Sequence, residues 1–283
     1  PLLPKKSPTV LHGHYWDGGK AALYCKSQSK IKFPFLWTPH SLGSIKRSKF
    51  PGKQNEQNFR FIHRIAWENY TCFTADRVIV SSPVEKQVVI DTYGVEDQRI
   101  EIISPGIEHH ELLPYPKPTA RKKHGLPAAG KMLLCLGRLT RTKGYHHAIR
   151  ALAWLKELYP DPVYLVICAG STHEKTAEEH EYLAELHQIA KDLELENDVH
   201  FLNAVPHHRI SELYSAADVF IMSSESEPFG LTVLESMMMS LPVVASNVGG
   251  PTFLIEHNQT GSLVTIYNPR RVAHYISTYF KDS

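Results

Sequence analysis

The sequence predicts an α/β fold of two domains, each with a parallel sheet. Short apolar runs, typical of buried strands, alternate along the chain with longer segments of helical periodicity. A stretch rich in Pro, Lys and His over residues 109–129 interrupts this alternation and is typical of a linker. A chain of 283 residues has room for two domains. We therefore predict a first domain over 1–125, which includes the linker, and a second domain over 126–283.

The first half is predicted to begin with a strand near Leu11 and a glycine-rich turn over 12–19. Further strands are predicted at 35–38, 77–80 and 100–103, with helices over 21–29, 58–74 and 83–93. Apolar residues recur at helical spacing in the second of these helices, which indicates one buried face and one polar face. The predicted buried face contains Phe59, Ile62, Ile65, Ala66 and Phe73, and the predicted polar face contains Arg60, Arg64 and Glu68.

The second half repeats the alternation of strand and helix. Strands are predicted near 131–136, 163–168, 199–203, 218–222, 243–246 and 262–265, with the clearest helices over 144–159 and 178–193. This pattern is typical of a doubly wound parallel sheet, in which ligands bind beyond the carboxyl ends of the strands.

Two glutamates, Glu227 and Glu235, flank a PFGL segment that follows one of these strands. Gly230 favours a sharp turn from strand to helix, because glycine adopts backbone angles that other residues avoid. A helix beginning near Leu231 would carry Glu235 about one turn inside, with Glu227 in the loop before it. The N–H groups at a helix N-terminus attract anions, so the pattern suits a nucleotide sugar. Two unrelated glutamates on a solvated helix are the alternative interpretation.

Several spaced motifs here resemble the donor-site signature of the family four retaining glycosyltransferases. They are EPFGL from Glu227, then Glu235, LPVVA from Leu241 and GGP from Gly249. The resemblance implies the GT-B architecture, in which two Rossmann-like domains with parallel sheets face each other across a cleft. It also implies that the first domain is N-terminally truncated here. Ser240 stands where the family usually has Gly.

The resemblance assigns the donor-binding residues. Glu227 would contact the donor sugar and Glu235 the ribose hydroxyls. A turn after the first strand of the second half would bind the diphosphate through Arg138 and Lys143, because Arg offers a planar fork for phosphate and Lys a point charge. Taken alone, that turn is more typical of a basic protein surface, and only its pairing with the glutamate motif favours the diphosphate. The full donor set is Gly137, Arg138, Lys143, Glu227, Phe229, Gly230, Leu231 and Glu235.

The first half resembles the branch of the family that contains sucrose-phosphate synthase and mannosylfructose-phosphate synthase. The resemblance rests on HYWDGG from His14 and on TPHSLGSIKR from Thr38. It places His40 beside the transferred sugar and cationic side chains on an acceptor phosphate. Arg60 is a rival to Arg64 in that role. The expected acceptor-binding residues are Tyr15, Asp17, Lys46, Arg47 and Arg64.

The implied function is transfer of a hexose, with retention, from a nucleoside diphosphate sugar of the UDP-glucose or GDP-mannose type. The expected acceptor is a sugar phosphate such as fructose 6-phosphate, and the expected catalytic residues are His40, Arg138, Lys143 and Glu227. No cofactor is expected. Two alternatives remain: a nucleotide-sugar-binding remnant without turnover, and a peripheral membrane transferase with a lipid-linked acceptor.

Charge and histidine content bear on these alternatives. Residues 1–125 carry 19 Lys and Arg against 11 Asp and Glu, whereas the remainder is acidic. A basic half suits an anionic acceptor or a membrane surface; scattered basic residues and no nucleic-acid motif argue against nucleic acid. No metal site is expected among the 17 histidines, because adjacent residues such as His146 and His147 are predicted to face apart.

The remaining composition indicates a cytoplasmic protein. No apolar run is long enough to span a bilayer. The four cysteines are widely separated and show no metal-binding spacing, which favours a reducing compartment. The chain starts without Met or a signal-peptide pattern and is expected to be a piece of a longer protein.

Overall fold

A computed structural model describes residues 9–30, 32–48, 56–170 and 174–281 of the chain. The chain divides into two compact units, Pro1–Pro105 and Gly106–Ser283. Each unit contains one sheet in which every strand pairing is parallel. The prediction of two parallel-sheet α/β domains is therefore confirmed.

The first unit has a four-stranded sheet in the order β1-β2-β3-β4. The side chains that fill its core, such as Phe35, Trp37 and Val78, are fully buried. The strands are β1 (Leu11–His14), β2 (Phe35–Thr38), β3 (Arg77–Val80) and β4 (Ile100–Ile102). The helices are α1 (Tyr15–Gln28), α2 (Gly43–Ser48), α3 (Glu56–Thr74) and α4 (Pro83–Tyr93).

The second unit has a six-stranded sheet. Its strands are β5 (Lys131–Gly137), β6 (Val163–Ala169), β7 (Val199–Leu202), β8 (Val219–Met222), β9 (Val243–Ser246) and β10 (Ser262–Val264). The helices are α5 (Lys117–Lys123), α6 (Tyr145–Leu158), α7 (Ala177–Asp192), α8 (Ile210–Ala216), α9 (Leu231–Met238), α10 (Pro251–Leu254) and α11 (Pro269–Lys281). The strand order is β10-β9-β8-β5-β6-β7.

The central strand β5 is covered on both faces. Leu133 and Cys135 belong to one apolar cluster, whereas Met132 and Leu134 belong to the other. Successive strand residues point to opposite faces, so a strand covered on both sides must be apolar throughout. This explains why β5 reads as a continuous apolar run.

The glycine-rich segment after β1 forms the first turns of α1 instead of the predicted turn. Tyr15 begins this helix with a φ of 65°, and the helix continues through Gly18 and Gly19. A Cβ at Gly19 would lie 2.7 Å from Nε1 of Trp37. Glycine is therefore needed for close packing between α1 and β2.

The two faces of α3 are arranged differently from the prediction. Arg64 and Glu68, predicted to be solvated, are buried, while Ile62 and Phe73 are exposed. Arg64 Nε donates to Glu68 Oε1 at 2.6 Å. The buried pair is stable because its remaining polar atoms also have partners, as buried charges require.

The segment predicted as a linker packs with the second unit. Leu112 and Ala120 are buried in that unit's core. Arg121 on α5 donates from Nη2 to Asp218 Oδ2 at 2.9 Å, and that carboxylate also accepts from the backbone N–H of Met132 at 2.7 Å. Residues 106–125, which the prediction assigned to the first domain, therefore lie in the second unit. Within the described ranges, no helix combines the length and the apolar character needed to cross a bilayer.

Candidate functional site

The carboxyl edge of the second sheet brings the two predicted donor segments together. Strands β5 and β8 are parallel neighbours, so the turn after Gly137 and the loop after Met222 emerge at the same edge. The backbone N–H of Glu225 donates to the carbonyl of Thr142 at 2.8 Å. Ser223 Oγ donates to the carbonyl of Lys143 at 3.1 Å. These bonds hold the turn and the loop against each other.

Gly144 permits this close approach. Its φ is 65°, in the left-handed region, and a Cβ there would lie 2.0 Å from the carbonyl oxygen of Ser223. No side chain fits at that distance. The glycine that follows Lys143 is therefore fixed by packing as well as by backbone conformation.

Lys143 and Glu227 form an ion pair at this edge. Lys143 Nζ donates to Glu227 Oε2 at 2.6 Å, and both side chains are mostly buried. Ser224 Oγ lies 3.4 Å from the same carboxylate oxygen. Lys143 is the predicted diphosphate ligand and Glu227 the predicted sugar ligand, and in the structure their charges neutralise each other.

Arg138 is an exposed cation at this edge. Its backbone carbonyl accepts a hydrogen bond from Tyr145 Oη at 3.0 Å, which orients the turn. Its guanidinium is exposed, and none of the residues that the structure describes pairs with it. Lys143 is therefore held in an ion pair, whereas the guanidinium of Arg138 has no partner among the described residues.

Glu235 lies about one turn inside α9, as predicted, and is buried. Tyr214 Oη donates to Glu235 Oε2 at 2.6 Å, and His207 Nε2 lies 3.6 Å from Oε1. Burial raises the pKa of Tyr214, and the neighbouring Glu235 carboxylate raises it further. The phenol therefore remains a hydrogen-bond donor to one carboxylate oxygen, while the other oxygen faces His207. No sequence motif pointed to Tyr214, because it lies 21 positions from Glu235 along the chain.

Gly230 caps α9 with a φ of 101°, and α9 begins at Leu231, both as predicted. The preceding residue, Phe229, is buried. The backbone N–H of Gly250 donates to the carbonyl of Glu227 at 2.9 Å, and a Cβ on Gly250 would lie 2.2 Å from the carbonyl oxygen of Phe229. The glycine pair that follows β9 therefore supports the loop that carries Glu227.

Three histidines gather at the carboxyl ends of β1 and β2 in the first unit. His14 Nδ1 lies 2.8 Å from His40 Nε2, and His12 Nε2 lies 2.8 Å from Thr38 Oγ1. His40, predicted to be catalytic, has a φ of 55°. Left-handed backbone is uncommon outside glycine and often marks functional positions.

Two of the histidines at this edge, His12 and His40, are shifted towards the neutral form. Partial burial and the neighbouring His14 lower the pKa values of both His12 and His40. Asp17, an expected acceptor-binding residue, is exposed, and its Oδ1 accepts from the backbone N–H of Gly18 at 2.8 Å. This edge therefore presents imidazole rings and a carboxylate to solvent.

Arg64 has a different role from the phosphate contact expected of it. Besides Glu68, its guanidinium donates to Tyr15 Oη at 2.8 Å and to the carbonyl of Ser41 at 2.6 Å. Glu68 in turn accepts from the backbone N–H of Gly43 and from Tyr93 Oη. Arg64 therefore fixes the segment between β2 and α2 rather than standing free for a ligand.

The remaining cationic acceptor candidates lie on α2, where sequence analysis expected a loop. Arg47 is exposed, and no described side chain pairs with it. The side chain of Lys46 lies outside the described residues, as does that of Arg60.

The expectation that adjacent histidines face apart fails at the start of α6. The ring centroids of His146 and His147 are 4.0 Å apart, and both rings approach Glu225. Both histidines lie in the first turn of α6, which begins against the loop that carries Glu225, and both rings therefore meet the same carboxylate.

Comparison with known proteins identifies relatives of both units. Residues 116–283 match the family model described as Glycosyl transferases group 1, and residues 2–111 match the one described as Glycosyltransferase Family 4. The chain is 33% identical over 267 residues to a D-inositol 3-phosphate glycosyltransferase of Acidothermus cellulolyticus, covering 93% of the chain and 58% of that protein. It is 34% identical over 251 residues to a mannosylfructose-phosphate synthase of Agrobacterium fabrum, covering 86% of the chain and 54% of that protein. The chain thus spans little more than half the length of these relatives.

Solved structures show the same architecture. A sucrose-phosphate synthase from Thermosynechococcus elongatus superposes with a TM-score of 0.82 at 29% identity, covering 96% of the chain and 64% of that structure. HepE from Anabaena, solved with UDP-glucose, superposes with a TM-score of 0.79 at 25% identity, covering 96% and 69%. The similarity to these glycosyltransferases confirms the predicted GT-B class.

Proposed function

The chain belongs to the group 1 glycosyltransferases, and from that premise we propose that it binds a nucleoside diphosphate sugar and transfers the hexose to a sugar phosphate. The observation that carries the proposal is the carboxyl edge of the second sheet. There, Arg138 and the Lys143–Glu227 pair stand beside Glu235 and the N-terminus of α9. Cations and a helix N-terminus suit the diphosphate, while carboxylates suit the hydroxyls of ribose and hexose.

The proposed donor is UDP-glucose, supported by the similarity to HepE, which was solved with that ligand. Glu235 would accept hydrogen bonds from the ribose hydroxyls through the oxygen that Tyr214 does not hold. Glu227 would orient the hexose. The diphosphate would compete with Glu227 for Lys143 and would recruit Arg138, whose guanidinium is exposed.

The proposed acceptor is a sugar phosphate such as fructose 6-phosphate. The names of similar proteins support this class, since they include mannosylfructose-phosphate synthase and sucrose-phosphate synthase. In the first unit, Arg47 and Lys46 would hold the phosphate. Tyr15, Asp17 and His40 would contact the sugars. Arg64 would act as a positioning residue.

The proposed transfer proceeds with retention at the anomeric carbon. The bond from that carbon to the diphosphate oxygen breaks, and a bond to the acceptor hydroxyl oxygen forms on the same face. The departing diphosphate takes the proton of that hydroxyl, so no side-chain nucleophile is needed. Arg138 and Lys143 would stabilise the charge that develops on the diphosphate. Well-placed groups of this kind contribute about 3 kcal/mol each.

The proposal is tested by titrating UDP-glucose into the chain by calorimetry in EDTA. The Glu235→Ala variant is expected to bind about tenfold to a hundredfold more weakly, because hydrogen bonds to a charged group contribute about 1.5–3 kcal/mol. The control is Glu178→Ala, which changes an exposed glutamate on α7. Equal affinities for Glu235→Ala and the parent chain would contradict the proposed ribose contact. Binding that requires added Mg²⁺ or Mn²⁺ would contradict the proposal that cationic side chains neutralise the diphosphate.

Turnover separates the proposed enzyme from the alternatives. Glucosylated fructose 6-phosphate or inositol phosphate as product supports transfer to a sugar phosphate. Donor binding without product favours a nucleotide-sugar-binding module. Pelleting with anionic vesicles, together with transfer to a lipid acceptor only, would overturn the sugar-phosphate acceptor.

A further inference from the structure

We propose that His146, His147 and Glu225 form a binding site for one divalent transition-metal ion of the Zn²⁺ class. Glu225 Oε1 lies 3.4 Å from His147 Nε2 and 3.8 Å from His146 Nε2. One ligand atom from each of the three residues falls within 4.8 Å of the others. In a tetrahedral zinc site with bonds of about 2.1 Å, neighbouring ligand atoms stand about 3.4 Å apart. Small side-chain adjustments therefore bring all three ligands onto one ion.

A fourth side chain orients one of these ligands. Tyr182 Oη lies 3.0 Å from His146 Nδ1, the ring nitrogen that faces away from Glu225. When Nδ1–H donates to Tyr182, the Nε2 lone pair points at the site. Histidines that bind metals almost always make such a bond through the second nitrogen. Tyr182 is itself buried beneath the start of α6, so the bond is sheltered from water.

Two cationic side chains, Arg141 and Arg150, act electrostatically on His146 and could repel a metal ion. The repulsion that Arg141 would exert on a cation is offset, because its guanidinium pairs with both carboxylate oxygens of Glu185. Arg150 is exposed to solvent, which screens its charge.

The ligand types select the metal. Two imidazoles and one carboxylate suit Zn²⁺, whereas Mg²⁺ prefers oxygen ligands and keeps several waters. The fourth coordination position would take water. Three protein ligands rather than four predict a reversible site that fills with added metal.

The metal would connect the two segments that meet at the carboxyl edge of the second sheet. His146 and His147 follow Gly144 at the start of α6, and Glu225 precedes Glu227 by two residues in the loop after β8. One ion would therefore restrain the loop that carries Glu227. Its role is structural, and no step of the proposed transfer passes through it.

The site is tested by thermal unfolding of the EDTA-treated, desalted chain with added Zn²⁺ or Mg²⁺. Zn²⁺ is expected to raise the melting temperature of the parent chain, since a ligand that binds only the folded state stabilises it. Mg²⁺ is expected to have no comparable effect. Glu225→Gln and His147→Gln should abolish the Zn²⁺ shift. The matched control His208→Gln, which removes an exposed member of another histidine pair, should keep it.

Titration with Co²⁺ provides a second readout that needs no ligand variant. The parent chain is expected to bind one Co²⁺ with the visible absorption of a tetrahedral ion. Tyr182→Phe should weaken that binding by about tenfold or more, as loss of an orienting partner does elsewhere. An equal Zn²⁺ shift in all variants, an equal shift with Mg²⁺, or no tetrahedral Co²⁺ spectrum would overturn the site. No nucleotide is present in either experiment, so this result is independent of the proposed function.

Discussion

Glu227 is a predicted site residue whose surroundings in the structure could not be predicted from the motif. Its carboxylate is held by Lys143 at 2.6 Å, across 84 positions of sequence. The motif predicts both residues and their shared edge of the sheet. It does not predict the ion pair, because the pair depends on the close packing of two segments at Gly144.

The ion pair leads to a prediction about donor affinity. Glu227→Gln removes the carboxylate that competes with a diphosphate for Lys143. UDP is therefore expected to bind about fivefold more tightly, since a partly exposed ion pair contributes on the order of 1 kcal/mol. The advantage of UDP-glucose over UDP should shrink, because the variant loses the proposed contact with the hexose.

Calorimetry with UDP and UDP-glucose on Glu227→Gln and on the control Glu178→Gln measures both effects. Weaker binding of UDP by Glu227→Gln would show that the carboxylate organises Lys143 instead of competing for it.

The burial of Arg64 could not be predicted from the sequence. Its spacing of four from Glu68 was visible, but the pair was expected on a solvated helix face. The periodicity of α3 could not reveal that Ser41, Gly43 and Tyr93 provide the partners that make burial favourable. Patterns of polarity assume that charged residues face water, and a fully hydrogen-bonded buried pair breaks that assumption.

At the scale of elements, two glycines of the second unit share one backbone conformation in different surroundings. Gly125 and Gly144 have φ values of 63° and 65°. A Cβ on Gly125 would meet no atom within 4 Å, whereas a Cβ on Gly144 would lie 2.0 Å from the carbonyl oxygen of Ser223. Comparison of alanine substitutions at the two glycines therefore separates the energetic cost of backbone strain from the cost of steric overlap.

Gly125→Ala is expected to lower the free energy of unfolding by about 1–2 kcal/mol, the cost of placing alanine in the left-handed region. Gly144→Ala should cost more, because the loop after β8 must also move away from the turn after β5. Chemical denaturation of the two variants measures the difference. Equal losses would contradict the close contact between these segments.

Ion pairs join helices α5 and α8, and they make the stability of the fold dependent on pH. Glu212 Oε1 accepts from Lys123 Nζ at 2.7 Å, and Oε2 accepts from Arg209 Nη2 at 2.9 Å. Burial opposes the ionised form, but hydrogen bonds from Lys123 and Arg209 outweigh it and lower the pKa of Glu212 from 4.5 to about 2. A carboxylate with a lowered pKa stabilises the fold fully above its unfolded value and loses that contribution as the pH falls.

Thermal unfolding at several pH values between 6 and 2.5 tests this contribution. The parent chain is expected to lose more stability than Glu212→Gln as the pH falls from about 4.5 towards 2. The control variant Glu178→Gln should follow the parent chain. Parallel curves for the parent chain and Glu212→Gln would mean that these ion pairs do not stabilise the junction of α5 and α8.

Except at the start of α1, sequence patterns predicted the described strands and longer helices closely, since each combines apolar residues with clear turn signals. They failed where local composition and tertiary packing disagree. Residues 109–129 have the composition of a linker, but Leu112 and Ala120 fill the core of the second unit. Ser240, which replaces the usual glycine, adopts a φ of 55° after α9, so the backbone there keeps the conformation that glycine favours.

At the scale of the whole molecule, the basic first half predicts an anionic acceptor. Lys46→Ala and Arg47→Ala are each expected to weaken binding of fructose 6-phosphate by about tenfold to a hundredfold, because charge-assisted hydrogen bonds contribute about 1.5–3 kcal/mol. Unphosphorylated fructose should be unaffected. Arg77→Ala serves as control, since that exposed arginine pairs with Glu101.

Equilibrium binding in the presence of UDP measures these affinities. Equal losses for both sugars, or a comparable loss in the Arg77→Ala control, would contradict a phosphate contact on α2.

The proposed function requires that a nucleotide sugar bind at the carboxyl edge of the second sheet. Amide hydrogen exchange with and without UDP-glucose, in EDTA, tests that location most directly. We predict slower exchange in peptides that cover 137–147 and 223–236, where the turn after β5, the loop after β8 and α9 meet. Unchanged exchange in these peptides, or slowing confined to residues of the first unit, would rule out this binding site.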